Sequence, residues 1–194
     1  MLLDERKKVV ADQGALLKIV EGIRAQGCRI VVTIGTWDML HVSHVRYLKK
    51  AREQGDVLIV GTDSDRAVKI YKNPLRPMIP QGERMEMLSY QSCVDMVVLV
   101  DDVDEEGKWQ YELIKEVRPD VFVAVEDSYP PEQIADIRKY CSQVEILPRQ
   151  GETSTSNLIH KIIKEVLGPM VAAMKRYKLD QLFFLESEKK EGTL

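Results

Sequence analysis

The segment VVTIGTWDMLHVSH, residues 31–44, passes from an apolar, β-branched run through a glycine into a helical pattern. The run at 30–34 predicts a buried strand, and the pattern at 43–54 predicts a helix that follows it closely. Gly35 permits a tight turn between them and lets a ligand approach the backbone. The start of the following helix offers unpaired N–H groups and the positive end of the helix dipole, which together favour a phosphate. The segment therefore predicts a phosphate-binding turn between a strand and a helix.

The same alternation of apolar run and helical pattern continues along the chain. Further apolar runs lie at 57–60, 96–100, 121–125 and 144–147. Helical patterns lie at 3–26, 64–71, 82–92, 108–117, 131–142, 156–167 and 170–184, with a break expected at Gly168-Pro169. Continuous apolar runs joined by helices are typical of a parallel sheet covered on both faces. We predict an α/β fold, with a doubly wound, five-stranded parallel sheet that carries an extra N-terminal helix and a C-terminal helical extension.

Three regions follow from this pattern. Residues 1–28 are predicted to form an N-terminal helical extension, residues 29–168 the main domain, and residues 169–194 a C-terminal helical tail. The tail is amphipathic, with apolar side chains at Met170, Met174, Tyr177, Leu179, Leu182 and Phe183. That character leaves open whether the tail covers the core of its own domain or a second subunit, and a homodimer is the state that we predict.

Composition and charge argue against several classes of protein. With 44% hydrophobic and 30% charged residues among 194, the chain can form a core, so disorder is not expected. The formal net charge of −3 argues against a nucleic-acid-binding surface. The three cysteines, Cys28, Cys93 and Cys141, have no CxxC spacing, which argues against a structural zinc site or a disulfide framework. No apolar run approaches the ~20 residues that span a bilayer, and the N-terminus is too charged for a signal peptide, so we expect a cytoplasmic protein without a membrane partner.

His41 and His44 are two of the three histidines in the chain, and their spacing places them on one face of the first helical turn. Three interpretations compete. Histidines at this spacing can chelate a metal ion, but no third ligand at a suitable spacing is evident. They can also be capping or core side chains without chemistry. We favour the third interpretation, in which both imidazoles donate to a polyphosphate at the start of the helix.

The segment GTWDMLHVSHVRYL, residues 35–48, resembles the GTFDxLHxGHxxxL signature of the cytidylyltransferase-like nucleotidyltransferases. That family includes the glycerol-3-phosphate and choline-phosphate cytidylyltransferases, the adenylyl-transfer domain of ADP-heptose synthase and archaeal FAD synthetase. The resemblance covers about residues 30–165 and implies a Rossmann-like nucleotidyltransferase fold for the domain 29–168. It also implies transfer of a nucleoside monophosphate from an NTP to a small phosphorylated acceptor, with Mg²⁺ as cofactor.

Two further elements resemble the same family. RQGETSTS, residues 149–156, is similar to the RTEGISTT or ISTS element that opens the last helix of these enzymes. RPMIP, residues 76–80, followed by Glu83-Arg84, is similar to the RPxxP…ER segment of ADP-heptose synthase-type domains. With the segment 35–48, family elements therefore lie near the start, in the middle and near the end of the predicted main domain.

The resemblance implies roles for individual residues. The implied catalytic residues are His41, His44 and Arg84. The implied nucleotide-binding residues are Gly35, Thr36, Lys72, Arg149, Ser154, Thr155 and Ser156. Lys69 is an alternative to Lys72, and Ser154 has the plain alternative of an N-cap. The implied acceptor-binding residues are Trp37, Asp38, Glu126 and Asp127, and no residue is assigned to a metal ion.

Two departures from the family pattern bear on the substrate. Ser43 replaces the glycine of HxGH, and VEDSY at 125–129 replaces a GDD- or GGDY-like stretch. We favour transfer of AMP from ATP to a sugar phosphate, because RPMIP and Glu83-Arg84 are nearer to ADP-heptose synthase-type domains. Two alternatives stay open. One is a CTP-dependent cytidylyltransferase for a polyol or alcohol phosphate, and the other is a nucleotide-binding regulatory module that has lost turnover.

Overall fold

The computed structural model describes residues 8–176, and its main feature is a five-stranded parallel sheet. The strands are β1 (Ile30–Gly35), β2 (Val57–Asp63), β3 (Met96–Val100), β4 (Val121–Val125) and β5 (Gln143–Leu147). Their order across the sheet is β3-β2-β1-β4-β5, and every neighbouring pair is parallel. The predicted doubly wound, five-stranded parallel sheet is confirmed.

Helices connect and follow the strands. They are α1 (Gln13–Ala25), α2 (Val42–Arg52), α3 (Asp65–Tyr71), α4 (Gln81–Ser89), α5 (Glu112–Val117), α6 (Pro131–Ile137), α7 (Thr155–Ile162) and α8 (Gly168–Arg176), with a π-helical turn at Ile163–Leu167 between the last two. Among residues 8–176, no helix combines the length and the apolar character that crossing a bilayer requires.

The sheet is buried on both faces, because alternate side chains of a strand point to opposite sides. Ile30 and Val32 of β1 join a core that also contains side chains of α1, α5 and α6. Val31, between them, joins a second core with side chains of α2 and α4. The continuous apolar runs in the sequence therefore reflect strands with helices on both faces.

The described residues divide into two compact units, the first ending at Glu152 and the second beginning at Thr153. The first unit holds the sheet and α1 to α6, and the second holds α7, the π-helical turn and α8. Within the first unit, α1 packs on the sheet through Leu16 and Val20, which are both buried. The domain bounds predicted at residues 28 and 168 stay predictions.

The leading helix predicted from residue 3 is wrong at its start. α1 begins at Gln13, where the Asp12 side chain caps it. Val9 instead forms a parallel bridge with Val97 of β3. Pairing with the edge of the sheet thus takes the place of a helical turn, and the part of the prediction before residue 8 lies outside the described range.

Two other helices are shorter than their sequence patterns. α5 begins at Glu112 rather than at residue 108, because Val103 forms an antiparallel bridge with Trp109 and the loop between them turns at Gly107, whose φ is 85°. α6 ends at Ile137 rather than at residue 142, and a turn leads from it into β5. In both places a turn replaces residues whose pattern alone favours a helix.

The predicted break at Gly168-Pro169 is wrong, because the chain stays helical from Thr155 to Arg176. A π-helical turn precedes the pair, and the proline lies in the first turn of α8, where the missing N–H group is tolerated. The part of the predicted 170–184 helix that follows Arg176 lies outside the described range.

Candidate active site

The candidate site lies at the carboxyl end of β1. This strand pairs with β2 on one side and with β4 on the other, so the strand order reverses beside it. Ligands of open α/β sheets bind at such a point. The segment 36–41 and the first turn of α2 follow β1 there, which places the predicted phosphate-binding turn where the fold favours a ligand.

The turn from β1 to α2 has an unusual backbone that a buried side chain anchors. Trp37 and Met39 have φ values of 54° and 50°, in the left-handed region that costs an ordinary residue roughly 1–2 kcal/mol. The Trp37 ring is buried, and its Nε1 donates a hydrogen bond to the Gly61 carbonyl at 2.9 Å. Trp37, predicted to bind the acceptor, therefore attaches the turn to β2 with its ring in the core.

His41 and His44 lie at the start of α2 with stacked rings, 3.8 Å between centroids and 22° between planes. The His44 ring also meets Trp37 edge-on, with 5.6 Å between centroids. Both nitrogens of His41 and Nδ1 of His44 are buried and have no hydrogen-bond partner among residues 8–176. Each such atom costs about 1–3 kcal/mol if it stays without a partner. The pair is therefore better suited to binding a ligand than to filling the core.

The surroundings of His44 keep its imidazole neutral at pH 7. Burial is the main cause that lowers its pKa to about 4, the charges of His41 and Lys72 act in the same direction, and Asp38 opposes them. Burial also lowers the pKa of His41. An anion raises the pKa of a neighbouring imidazole, because it favours the cationic form. The pair can thus take up a proton when a polyphosphate binds.

We expect His44 to make the folded protein less stable as the pH falls. Its folded pKa of about 4 lies below the ordinary value of 6.5. Between these values the unfolded state binds more protons, so stability that is fully present above 6.5 is lost as the pH falls towards 4. The effect is at most about 3 kcal/mol.

Urea unfolding of the wild type and of His44→Gln, at about pH 7.5 and about pH 5, measures this loss. The variant should lose less stability than the wild type between the two conditions. Burial raises the pKa of Asp102 to about 6, which changes the stability with pH in the opposite direction. This contribution is the same in both proteins, so it cancels when they are compared. An equal loss in both proteins would show that the pKa of His44 is not lowered.

Asp38 is buried and holds the segment 76–79 against the turn. Arg76 Nη2 forms an ion pair with Oδ2 at 2.8 Å. The N–H groups of Met78 and Ile79 donate to Oδ2 and Oδ1 respectively, each at 3.0 Å. The Asp38 side chain, predicted to bind the acceptor, therefore links two segments of the site to each other.

Arg84, predicted to be catalytic, is 1% exposed and is surrounded by acceptors. Its guanidinium donates to the carbonyls of Thr36, Asp63 and Ile79 and to the carboxylate of Asp65. The bonds to Asp63, Asp65 and Ile79 measure 2.8, 2.7 and 2.9 Å. One buried cation thus joins the ends of β1 and β2 to the segment before α4. This geometry favours a positioning role for Arg84, and contact with a phosphate stays a prediction.

Lys72 lies beside the same turn, in a buried polar network. Its Nζ donates to Thr36 Oγ1 at 2.6 Å, and that hydroxyl donates to Asp63 Oδ2 at 3.0 Å. The Tyr71 hydroxyl lies 2.8 Å from Thr36 Oγ1. Burial lowers the pKa of Lys72, and the charge of Asp63 opposes that shift. Asp63 and Tyr71 were assigned no role from the sequence, although the place of Asp63 at the carboxyl end of β2 was a usable signal.

The loops that follow β4 and β5 are joined through Glu126. Its N–H group donates to the Leu147 carbonyl at 2.9 Å, and its Oε1 accepts from the Arg149 N–H group at 2.9 Å. Glu126, Asp127 and Arg149 are all exposed. These predicted binding residues therefore lie at the carboxyl ends of their strands with side chains accessible to a ligand.

The second unit carries the predicted nucleotide-binding residues Ser154, Thr155 and Ser156. Ser154 is the N-cap of α7, and its Oγ accepts a hydrogen bond from the Asn157 N–H group at 3.1 Å. Thr155 is buried and Ser156 is exposed. Ser154 therefore caps α7, and the nucleotide role of all three residues stays a prediction.

Comparison with known proteins connects this geometry to a family. Residues 32–188 match the family model described as cytidylyltransferase-like. The chain belongs to the cytidylyltransferase-like family. The resemblance seen in residues 35–48 is confirmed, and so is the nucleotidyltransferase class that it implies.

Curated relatives in this family match most of the chain. The Bifunctional protein HldE of Syntrophotalea carbinolica is 38% identical over 152 residues, and that of Geotalea uraniireducens is 39% identical over 151 residues. The matches cover 77% and 76% of this chain, and 30% of each relative. The chain thus corresponds to less than a third of these longer proteins.

Two solved structures are similar in fold. The lipopolysaccharide core biosynthesis protein from Thermoplasma volcanium has a TM-score of 0.53 at 25% identity, covering 66% of this chain and 100% of its own. Pantoate-beta-alanine ligase from Francisella tularensis, in a complex with Beta-gamma ATP and beta-alanine, has a TM-score of 0.53 at 16% identity, covering 82% of this chain and 78% of its own. The second likeness shows the fold alone.

Proposed function

We propose that this chain transfers AMP from ATP to the phosphate group of a sugar phosphate and releases pyrophosphate. The observation that carries the proposal is the stacked pair of His41 and His44, whose buried nitrogens have no partner among residues 8–176, at the start of the 11-residue helix α2. A helix N-terminus favours an anion through its free N–H groups and its dipole. Family membership supports nucleotidyl transfer, and the histidine pair supports a reaction site at the start of α2.

The proposed step is an in-line displacement at the α-phosphorus. A phosphate oxygen of the acceptor forms the new bond, and the bond from the α-phosphorus to its β-bridging oxygen breaks, so pyrophosphate leaves with that electron pair. The acceptor is already an anion, so positioning and charge stabilisation carry most of the catalysis. His41 and His44 are proposed to donate to the transferring group and its bridging oxygen, with backbone N–H groups of Gly35 and Thr36 beside them.

Cationic and hydroxyl side chains are proposed to hold the β and γ phosphates. The position of Lys72 supports this role, since its Nζ lies 2.6 Å from Thr36 Oγ1, in the segment between β1 and α2. Arg149 contributes an exposed guanidinium after β5. Ser154, Thr155 and the N–H groups at the start of α7 are the proposed partners for the rest of the triphosphate.

The nucleotide is proposed to enter as its Mg²⁺ complex. Mg²⁺ commonly binds through substrate phosphates and one or two carboxylates rather than in an all-protein site. Among residues 8–176, no three His, Cys, Asp or Glu side chains are grouped so that they could hold a metal ion. A metal ion held mainly by the triphosphate oxygens fits this arrangement, and it would neutralise charge on the leaving pyrophosphate.

The sugar phosphate is proposed from the relatives. One similar structure is named a lipopolysaccharide core biosynthesis protein, and the saccharide in that name supports a sugar phosphate as the acceptor. The HldE relatives are named bifunctional, and this chain matches 30% of their length, which suits a unit with one of two activities. Incubation with ATP, Mg²⁺ and a panel of sugar phosphates, glycerol 3-phosphate and phosphocholine should release pyrophosphate with a sugar phosphate only.

The alternative substrates are CTP and a polyol or alcohol phosphate. The triplet Ser154-Thr155-Ser156 and the pair Glu126-Asp127 favour this alternative, because they are nearer to cytidylyltransferases. Release of pyrophosphate from CTP with glycerol 3-phosphate or phosphocholine in the same panel would replace the sugar-phosphate proposal with this one.

We expect ATP to bind at least tenfold more tightly than CTP in the presence of Mg²⁺. The two bases present different hydrogen-bonding edges, and a site built for one leaves a buried polar group without a partner when it holds the other. That loss costs roughly 1–3 kcal/mol, or about ten- to a hundredfold in affinity. Calorimetric titration measures both affinities. Tripolyphosphate, which has no base, is the control for the affinity that comes from the phosphates alone. A tenfold preference for CTP would reverse the assignment.

A further inference from the structure

Ser43 is a half-buried polar residue in the first turn of α2 that none of the roles above includes. It follows the N-cap, His41, by two positions and precedes His44. Its Oγ is buried and has no hydrogen-bond partner among residues 8–176. A buried hydroxyl without a partner is unfavourable, because it has lost its hydrogen bonds to water and has not gained others. In sequence, Ser43 therefore lies between two proposed phosphate donors, and the hydrogen-bonding capacity of its hydroxyl is unused.

The loop after β5 confines this hydroxyl from one side. A Cβ atom built on Gly151 would lie 2.6 Å from Ser43 Oγ and 3.5 Å from Ser43 Cβ. Arg46 Nη1 donates to the neighbouring Gln150 carbonyl at 3.5 Å, so this loop lies across the first turn of α2. The serine hydroxyl fits at its position because residue 151 has no side chain. Ser43 and Gly151 are thus a sterically matched pair.

We propose that the Ser43 hydroxyl donates a hydrogen bond to a phosphate oxygen of the bound nucleotide, and that Gly151 is required to leave room for it. The inference rests on the proposed function, because it adds a donor to the same site. It assigns a binding role to the position where the family pattern has a glycine and therefore no side-chain donor. The Ser43 hydroxyl acts on the bound triphosphate in the ground state, so it contributes mainly to affinity and less to kcat.

A packing role is the competing explanation. In that case Ser43 only fills the space beside Gly151, and its removal changes stability without changing phosphate affinity. The two roles can be separated because the steric match can be restored without the hydroxyl. Gly151→Ala alone creates a clash with Ser43, whereas Ser43→Gly combined with Gly151→Ala removes both the clash and the hydroxyl.

The test measures the Kd for tripolyphosphate and for ATP with Mg²⁺ by calorimetry, together with Tm. The variants are Ser43→Ala, Ser43→Gly, Gly151→Ala and the double variant Ser43→Gly/Gly151→Ala. Ser142→Ala, which removes an exposed hydroxyl before β5, is the control. Ser43→Ala and Ser43→Gly should weaken both ligands roughly tenfold, the scale for one hydrogen bond to a charged group. The control should bind like the wild type.

The double variant separates the two explanations. It should regain the Tm that Gly151→Ala loses, but its affinity for tripolyphosphate should stay about tenfold weaker than that of the wild type. Wild-type affinity in Ser43→Ala, or full recovery of affinity in the double variant, would overturn the role of the hydroxyl while leaving the proposed function intact. Failure of the wild type to bind ATP or tripolyphosphate would overturn the proposed function and this inference with it.

Discussion

Alanine in place of His41 or His44 is expected to lower kcat roughly 10²–10³-fold, while the Kd for ATP changes much less. The two rings are stacked at the start of α2, and their buried nitrogens have no partner in the described part of the chain. Donors fixed in this way require no rearrangement when charge develops on the transferring group. Losing one such donor therefore raises the barrier of the chemical step more than it weakens binding.

The control for this prediction is His160→Ala. His160 is the remaining histidine of the chain, and it is exposed in the last turn of α7. Its removal should leave kcat within about twofold of the wild type, since the proposed mechanism gives this exposed side chain no role. Single-turnover kinetics with saturating ATP measures the step directly. Full turnover in His44→Ala would end the assignment of the pair to catalysis.

Arg84→Met is expected to lower the free energy of unfolding by about 3–5 kcal/mol, the scale for removing one partner of a buried charge pair. The guanidinium is 1% exposed and donates to three carbonyls and to the Asp65 carboxylate. Its loss leaves these acceptors buried without a donor. Arg84→Lys should recover little of the stability, because a single ammonium group cannot span acceptors on several segments.

Urea unfolding measures this loss, and Lys50→Met provides the control. Lys50 forms an ion pair with Glu53 at 2.8 Å on the exposed side of α2. An exposed pair of this kind contributes about 0–1 kcal/mol. If Arg84→Met loses no more stability than the control but raises the KM for ATP tenfold or more, then Arg84 binds phosphate, as the sequence resemblance implied.

The sheet could be predicted from sequence because its strands carry a local signal. Each strand is buried on both faces, so it appears as a continuous apolar run such as residues 96–100. The start of α1 could not be predicted in this way. Val9 pairs with Val97, a contact that no local pattern contains. The break expected at Gly168-Pro169 also failed, because a π-helical turn before the pair lets the helix continue.

Site residues could be predicted from sequence where a motif fixes their spacing. The role of a residue could not be predicted where contacts between distant segments decide it. The positions of His41 and His44 follow from their place just after β1. The sequence shows Arg84 as part of a family motif at the start of a predicted helix, whereas the structure surrounds it with carbonyls from three segments. The sequence shows that Ser43 departs from the family pattern. Its steric match with Gly151 could not be predicted, because it depends on the fold that brings the loop after β5 next to α2.

The central claim is that an acceptor phosphate oxygen attacks the α-phosphorus of the nucleotide beside His41 and His44. Its most direct test uses a sugar phosphate whose phosphate oxygens carry a heavy isotope, with unlabelled ATP and Mg²⁺. Phosphorus NMR then locates the label. We predict a nucleotide sugar in which the isotope shifts both phosphorus resonances, since the bridging oxygen comes from the acceptor, together with unlabelled pyrophosphate. Label in the pyrophosphate, or formation of ADP without a nucleotide sugar, would contradict the account.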